Sequence, residues 1–393
     1  MLDVTATQAA IRGKLDVLAQ DVRGYPDILR EVVDEYSRFN DAQQVRETLD
    51  GVADLFRECS EVVYPLEDAQ AVAPSFEVGG FRPSESEWAR EVLQGEVVVG
   101  IDTSEIQPST HRSPSFLLEN VGFSMMQYQK GTPHLDGSRA YFYTHSELVD
   151  LYARGSSSAL PAWAVDVTRM ECELDSLKKV VEGGKTRQVT VLFDESFSAS
   201  WLNTVSPGWR EGVVREMKRV QSELLEMEIN PVGVFYTGSS AFVSMIKIGL
   251  DGARSKGRGV GWKRVRDSRL LMKVFPSGWR SPLFRVRNRI TDRFDLRVFG
   301  FYLKAGEGNV FRVEFPEKLL ERVEVIHRVV TAEAALGGGY PYVLHRAHEE
   351  AYISPGERQW VFDYVSRLLG EEAGLTDGVQ LSRKEMRKLV GLV

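Results

Sequence analysis

Cysteine is scarce in this 393-residue chain: Cys59 and Cys172 are the only two. Each falls in a helical pattern, so both read as reduced packing residues rather than a disulfide, and a thiolate metal site is excluded. Long apolar runs are missing as well. No stretch approaches the roughly eighteen consecutive apolar residues of a membrane-spanning helix. The opening Met1-Leu-Asp-Val-Thr5 lacks the basic, apolar and small-residue succession of an export signal, which makes a cytoplasmic location the expectation. No low-complexity run and no repeat of fixed period is visible. Nor is there an excess of positive charge: 49 Lys and Arg stand against 56 Asp and Glu, for a net charge of -7. That excludes a protein coated in basic residues but not a local basic channel.

What the chain does have is two short apolar runs that each end in an aspartate. Val97-Val-Val-Gly-Ile101 reads as a buried strand of β-branched residues and one Gly, with Asp102 at its end. Gln188-Val-Thr-Val-Leu-Phe193 repeats the design and ends at Asp194. A carboxylate pointing unpaired into the core is costly, so each belongs at a strand mouth beside something cationic, such as a metal ion. The local alternative is a turn, Asp102-Thr-Ser104, in which the Asp caps its own backbone.

The remaining chain supplies a frame for these two strands. Residues 5–60 read as helices, with Ile11, Leu15, Leu18 and Val22 at helical spacing, an interruption at Pro26, and a third helix carrying Val45, Leu49, Val52, Leu55, Phe56 and Cys59. With a Pro- and Gly-containing linker over 66–83 they form an N-terminal helical extension (1–83), leaving 84–393 as the main domain. Ser84-Glu-Ser-Glu87 has the form of a capping box. After Asp102, residues 115–123 and 139–143 read as two further strands with no helical pattern between them, so a meander starts from the strand bearing Asp102. A helix over 161–182 carries Glu171 and Glu173. A helix over 208–228, a strand at 232–235, a helix at 241–250, a hairpin over 294–315 and two or more C-terminal helices follow.

A meander, then a helix, then a parallel strand ending in a second Asp is the order of an RNase H-like α/β fold: a mixed sheet flanked by helices. There the ends of neighbouring central strands bring two Asp carboxylates together, and a Glu on the intervening helix can lean over both. Three such carboxylates repel one another and raise their pKa values unless divalent ions remove the repulsion. Two ions about 4 Å apart activate water and stabilise the leaving oxygen of a phosphodiester. Oxygen ligands suit Mg²⁺ or Mn²⁺. An RNase H-fold phosphotransferase would need Gly-rich phosphate loops, which the chain lacks.

Ile101-Asp102-Thr-Ser104-Glu-Ile-Gln-Pro108 with Leu118-Glu-Asn-Val-Gly122 resembles the opening motif of the NurA nuclease family, whose usual form is Asp-Gly-Ser. The resemblance continues through Arg169-Met-Glu-Cys-Glu173, Val191-Leu-Phe-Asp194, Asp267-Ser-Arg-Leu-Leu271, Arg280-Ser-Pro-Leu-Phe284 and Gly339-Tyr340-Pro-Tyr-Val-Leu-His-Arg-Ala-His348. It implies a metal-dependent DNA nuclease, exo- or endonucleolytic and of 5′-to-3′ polarity, acting in DNA end resection and double-strand break repair by homologous recombination. It further implies Mn²⁺ or Mg²⁺ as cofactor, a homodimer, a HerA-type hexameric translocase as partner, DNA as substrate and a nucleoid-associated location. Residue by residue, Asp102 and Asp194 match the metal-binding aspartates, Glu173 the helical glutamate with Glu171 as fallback, and Tyr340 and His348 the C-terminal tyrosine and histidine; His348 would ligate a metal or orient its water.

The chain departs from the family pattern at Thr103 and Glu195, where Gly is usual, and at Tyr236-Thr-Gly238, where a Ser-Lys pair is common. The alternative these departures raise is a catalytically degenerate DNA-binding subunit of a translocase complex. The segment Arg254–Arg289 holds twelve Lys or Arg and one acidic residue, Asp267. Interleaved with Trp262, Trp279 and Phe284, it suits a groove that tracks a nucleic-acid strand, with Arg264, Arg266 and Arg280 as phosphate contacts, or else a partner-docking surface.

Overall fold

The computed structural model describes residues 4–52, 61–82, 86–108, 114–129, 134–152, 162–182, 189–198, 202, 205, 207–251, 262 and 264–371. Among them nine strands join one sheet: β1 (Val62–Pro65), β2 (Val97–Ile106), β3 (Phe116–Gln127), β4 (Leu135–Thr144), β5 (Val189–Phe193), β6 (Asn230–Phe235), β7 (Phe284–Arg287), β8 (Val298–Ala305) and β9 (Asn309–Pro316). The helices are α1 (Val4–Arg12), α2 (Leu15–Tyr36), α3 (Ala42–Gly51), α4 (Glu87–Val92), α5 (His145–Tyr152), α6 (Ala162–Glu182), α7 (Pro207–Glu226), α8 (Ala241–Asp251), α9 (Asp267–Val274), α10 (Arg289–Arg293), α11 (Val323–Leu336), α12 (Tyr342–Ala351) and α13 (Pro355–Glu371). No described helix is long and apolar enough to cross a membrane.

The sheet runs in the order β1-β7-β8-β9-β6-β5-β2-β3-β4. β2 and β5 pair in parallel with Ile101 opposite Phe193, and β6 continues in parallel beside β5. Strands covered on both faces need apolar residues at successive positions, and β5 is buried along its whole length. β3 and β4 fold back from β2 as an antiparallel meander. The order β6-β5-β2-β3-β4, three parallel strands flanked by two antiparallel ones, is the RNase H-like arrangement expected from the sequence. The hairpin β8–β9 attaches to β6 through β9 and extends the sheet on that side.

Alternation along the strands sends side chains to two cores. Val97, Val99, Ile101, Val191 and Phe193 pack with Cys172, Leu174 and Leu177 of α6. Val98, Leu192, Val232 and Val234 pack with Ile326, Val329, Val330, Val343 and Leu344 of α11 and α12. These are the α6 face and the α12 face of the sheet.

The N-terminal segment packs on the main body. Val32, Tyr36, Val45 and Leu49 of α2 and α3 belong to the α6-face core, and β1, which carries no strand signal in the sequence reading, pairs with β7 at the sheet edge. Lys247 of α8 is buried and paired with Glu31 at 2.6 Å and Glu35 at 2.5 Å, tying α2 down. Pro26 does not interrupt the helix: α2 runs through it. The ring removes one backbone donor, and the packing of Tyr25, Ile28, Leu29 and Val33 against the core offsets that loss. Ser84 of the expected capping box, and Leu55, Phe56 and Cys59 of the expected third helix, lie outside the described residues. Cys172 is a buried thiol pushed up to about 12 by that burial, which fits the expected packing role.

Candidate active site

Asp102 and Asp194 lie on the side of the sheet that α12 covers; β2 does not end at Asp102, as the sequence suggested, but runs on to Ile106 against β3, and only its pairing with β5 stops at Ile101. Asp102 follows Ile101, Asp194 follows Phe193, and these two preceding residues are paired, so the aspartates stand side by side at the mouth of the parallel strands. Two glycines let α12 come close enough to reach them. A Cβ on Gly100 would lie 2.2 Å from the Val343 carbonyl oxygen, and one on Gly122, the cross-strand partner of Asp102, 2.2 Å from that of Ala347. That approach brings His348 to Asp102, with Nδ1 2.7 Å from Oδ2. The carboxylate is the acceptor, so Nδ1 carries the proton and Nε2 is left toward solvent, on a ring that is well exposed.

Tyr340, two residues before α12, completes this side. Its hydroxyl donates to the Val234 carbonyl oxygen at 3.3 Å and lies close enough to Asp194 to favour its ionised form. Asp194 is exposed by surface area, yet the groups around its carboxyl remove enough water to raise its pKa; Asp102 adds to the rise, while the Tyr340 bond and His348 oppose it.

On the α6 face a second group forms from the residue after each aspartate. Thr103 Oγ1 donates to Glu173 Oε1 at 2.7 Å. Glu195 lies 3.5 Å from Arg169 Nη2, which also pairs with Asp166 at 3.3 Å. Asp166, Arg169 and Glu173 are three and four residues apart on α6 and so share one side of it. Glu173 is only 5% exposed, and burial, followed by the charge of Glu195, pushes its carboxyl well above the usual range against the pull of Arg169. Burial likewise raises Glu195, with Arg169 opposing. Glu171, the fallback for Glu173, points elsewhere and pairs with Arg219 of α7.

The expected site residues therefore come together as two adjoining sets: Asp102, Asp194, Tyr340 and His348 on one face, Glu173 on the other with charge coupling to Asp102 across the strand end. The donors suit a hard divalent cation in kind, being carboxylate oxygens and one imidazole, and a cation would offset the burial and the mutual repulsion that raise Asp194, Glu173 and Glu195. No group of three or more His, Cys, Asp or Glu among the described residues is arranged to hold a metal ion.

The basic segment departs from its expected role. Arg280 is 1% exposed and is held by Glu67, at 2.6 Å, and Glu324, at 3.2 Å, so it is an internal ion-pair residue and not a phosphate contact. Phe284 is fully buried, and Trp262 and Trp279 pack against the core, so these aromatics do not line a groove. An apolar ring between charged residues reads the same in sequence whether it faces base or core. Arg264 and Arg266 are exposed, with Arg266 donating to the Gly238 carbonyl, and residues 252–261 and 263 lie outside the described residues.

The sequence reading gave no weight to Arg169, to the link between Thr103 and Glu173, or to Glu119 on β3. Glu119 is 0% exposed, neither of its carboxylate oxygens has a hydrogen-bond partner among the described residues, and burial, then the cross-strand Glu105, pushes it up to about 8. The helical spacing of Asp166, Arg169 and Glu173 was the available signal for the first.

Known proteins carry likenesses to this chain. The crystal structure of the NurA nuclease from Sulfolobus solfataricus is 13% identical with a TM-score of 0.44, over 84% of this chain and 95% of that one. A NurA structure with manganese is 10% identical with a TM-score of 0.35, over 88% and 98%. The catalytic domain of human Endonuclease V is 12% identical with a TM-score of 0.32, over 88% and 99%. In sequence, the polyribonucleotide nucleotidyltransferase of Salinispora arenicola (strain CNS-205) is 27% identical over 321 residues, which are 75% of this chain but only 36% of that protein. The family model of the NurA domain matches residues 261–353, the stretch that holds Tyr340 and His348.

Proposed function

We propose that this chain is a divalent-metal-dependent deoxyribonuclease that hydrolyses phosphodiesters at DNA ends. The observation that carries the reading is the pair Asp102 and Asp194 at the mouth of adjacent parallel strands, each with its own second partner, His348 and Tyr340. Asp102, Asp194, Glu173 and His348 would hold Mn²⁺ or Mg²⁺. When bound, such an ion would neutralise the carboxylates and polarise the phosphodiester. Asp102 fixes the His348 ring through Nδ1, which leaves Nε2 as the one atom that would either ligate the ion or orient its water. The Tyr340 hydroxyl, held beside Asp194, would turn its one proton from its present acceptor to a phosphate oxygen. The matched NurA domain supports the same reading, which extends to end resection in recombinational repair, 5′-to-3′ polarity, a homodimer, nucleoid association and a HerA-type translocase partner.

One feature supports a second reading, a DNA-binding subunit without catalysis. Thr103 and Glu195, at the two positions where Gly is usual, both engage the Glu173 group: one donates to Glu173 and the other shares Arg169 with it. Those bonds compete with a cation for Glu173.

The deciding experiment is cleavage of end-labelled single- and double-stranded DNA by the purified chain with Mn²⁺, Mg²⁺ or EDTA, beside Asp102→Ala. Metal-dependent shortening that Asp102→Ala abolishes, while melting as the wild type does, is expected; cleavage retained by that variant overturns the site. Salt-sensitive DNA binding with no cleavage and no manganese binding by calorimetry selects the second reading.

A further inference from the structure

β2, β5 and β6 are adjacent parallel strands; Asp102 follows the last β2 residue paired with β5, and Asp194 and Tyr236 are the first residues after β5 and β6. Tyr236 is the first residue after β6, and it is 54% exposed although it is a large ring beside the core. It is not loosely placed. One face stacks on Tyr340, with centroids 5.3 Å apart and 21° between planes, and its ring meets Phe311 edge to face at 6.3 Å. Phe311 is fully buried and also meets Tyr340 edge to face at 6.2 Å. The three rings thus touch one another pairwise, with Phe311 in the core, and the ring stacked under Tyr236 is that of Tyr340, beside Asp194.

The backbone that follows is equally fixed. Residues 236–240 lead into α8, whose first amides, of Phe242 and Val243, donate to the buried Asp267 carboxylate at 3.2 and 3.0 Å. The exposed Arg266 donates to the Gly238 carbonyl, so a guanidinium stands at the same loop. A preordered ring with an open face, one ring away from a carboxylate at a strand mouth and near an arginine, is the arrangement that receives a base while its phosphate is held beside it. Burial of a lone tyrosine ring for stability would have turned both faces inward.

Resting on the nuclease reading, we propose that Tyr236 is a positioning residue whose open face stacks on the nucleobase next to the scissile phosphate, so that the strand enters the site single-stranded or unpaired at that nucleotide. A paired base keeps both faces stacked within its duplex and offers none to a protein ring. The contact is indifferent to base identity, because every base presents a π-face.

The test uses the full chain in EDTA at low salt, where DNA binds without being cut, and single-stranded oligonucleotides with 2-aminopurine moved one position at a time. Quenching at one position is expected in the wild type and in Tyr236→Phe, and its loss in Tyr236→Leu, together with about tenfold weaker binding. An abasic nucleotide at the quenched position is expected to weaken the wild type by the same factor and Tyr236→Leu hardly at all. Thermal melting of Tyr236→Leu at the wild-type temperature establishes that the change is not one of folding. Unchanged quenching and affinity in Tyr236→Leu overturn the stacking role and leave the nuclease reading standing, whereas a wild-type chain that binds no DNA overturns both.

Discussion

Glu119 offers a measure of the α6-face electrostatics that does not depend on activity. Its carboxyl is fully buried on β3 opposite Glu105 and is pushed from 4.5 up to about 8, by burial first, then by Glu105, with Arg169 opposing and Asp166 adding. Between those two values the folded chain holds a proton that the unfolded chain has released. Stability from this group is therefore fully present below the ordinary carboxylate range and is lost as pH rises toward 8. At about 1.4 kcal/mol per pKa unit, the loss between pH 5 and pH 8 is about 4 kcal/mol. Glu119→Gln has the shape of the protonated acid and no titration. Urea denaturation of the two proteins at pH 5 and pH 8, in EDTA, is expected to give similar stabilities at pH 5 and a variant more stable by about 4 kcal/mol at pH 8. Parallel pH curves, with the gap constant to within about 1 kcal/mol, would refute the reasoning and mean that Glu119 is ionised and compensated by Arg169.

Two substitutions separate internal from site roles. Arg280→Ala leaves Glu67 and Glu324 facing a buried hole where their cation was, so a loss of about 3 to 5 kcal/mol of stability is expected in denaturant titrations, with DNA affinity unchanged in the folded range; a fall in affinity without a fall in stability would restore Arg280 as a phosphate contact. Glu171→Gln is expected to cleave as the wild type does, since Glu171 serves Arg219, while Glu173→Gln falls by about 100-fold or more; equal losses in the two would mean that α6 turns on binding metal.

The parallel centre was legible because strands buried on both faces must be apolar at every position, and the aspartates that end those runs stand out for the same reason. α6 and α7 followed from helical periodicity. The edge strands β1 and β7, four residues each, carry too few positions for a period, and β7 sits in a stretch whose charge dominates its pattern. The path of α2 through Pro26 depends on tertiary packing that no local signal reports. Within the site, Asp102, Asp194 and His348 were readable as residues, whereas the division into two faces was not. Alternation fixes which neighbours share a face only once the covering helix is known, and α12 is more than 200 residues away from β2 in sequence.

That division gives the two departures from the family pattern a single physical meaning. A residue immediately after Asp102 or Asp194 points to the opposite face, so Thr103 and Glu195 both arrive at α6, where Glu173 lies. Glycine at those positions would leave Glu173 with Arg169 as its main counter-charge. With Thr103 donating to Glu173 and Glu195 drawing on the same guanidinium, the group is partly satisfied without any ion, although burial still keeps both glutamates above their ordinary range. On the nuclease reading, Thr103 and Arg169 would compete with a cation for Glu173, with Glu195 left to Arg169. That competition would set how tightly such a cation is held, through Thr103 and Arg169 as much as through the aspartates.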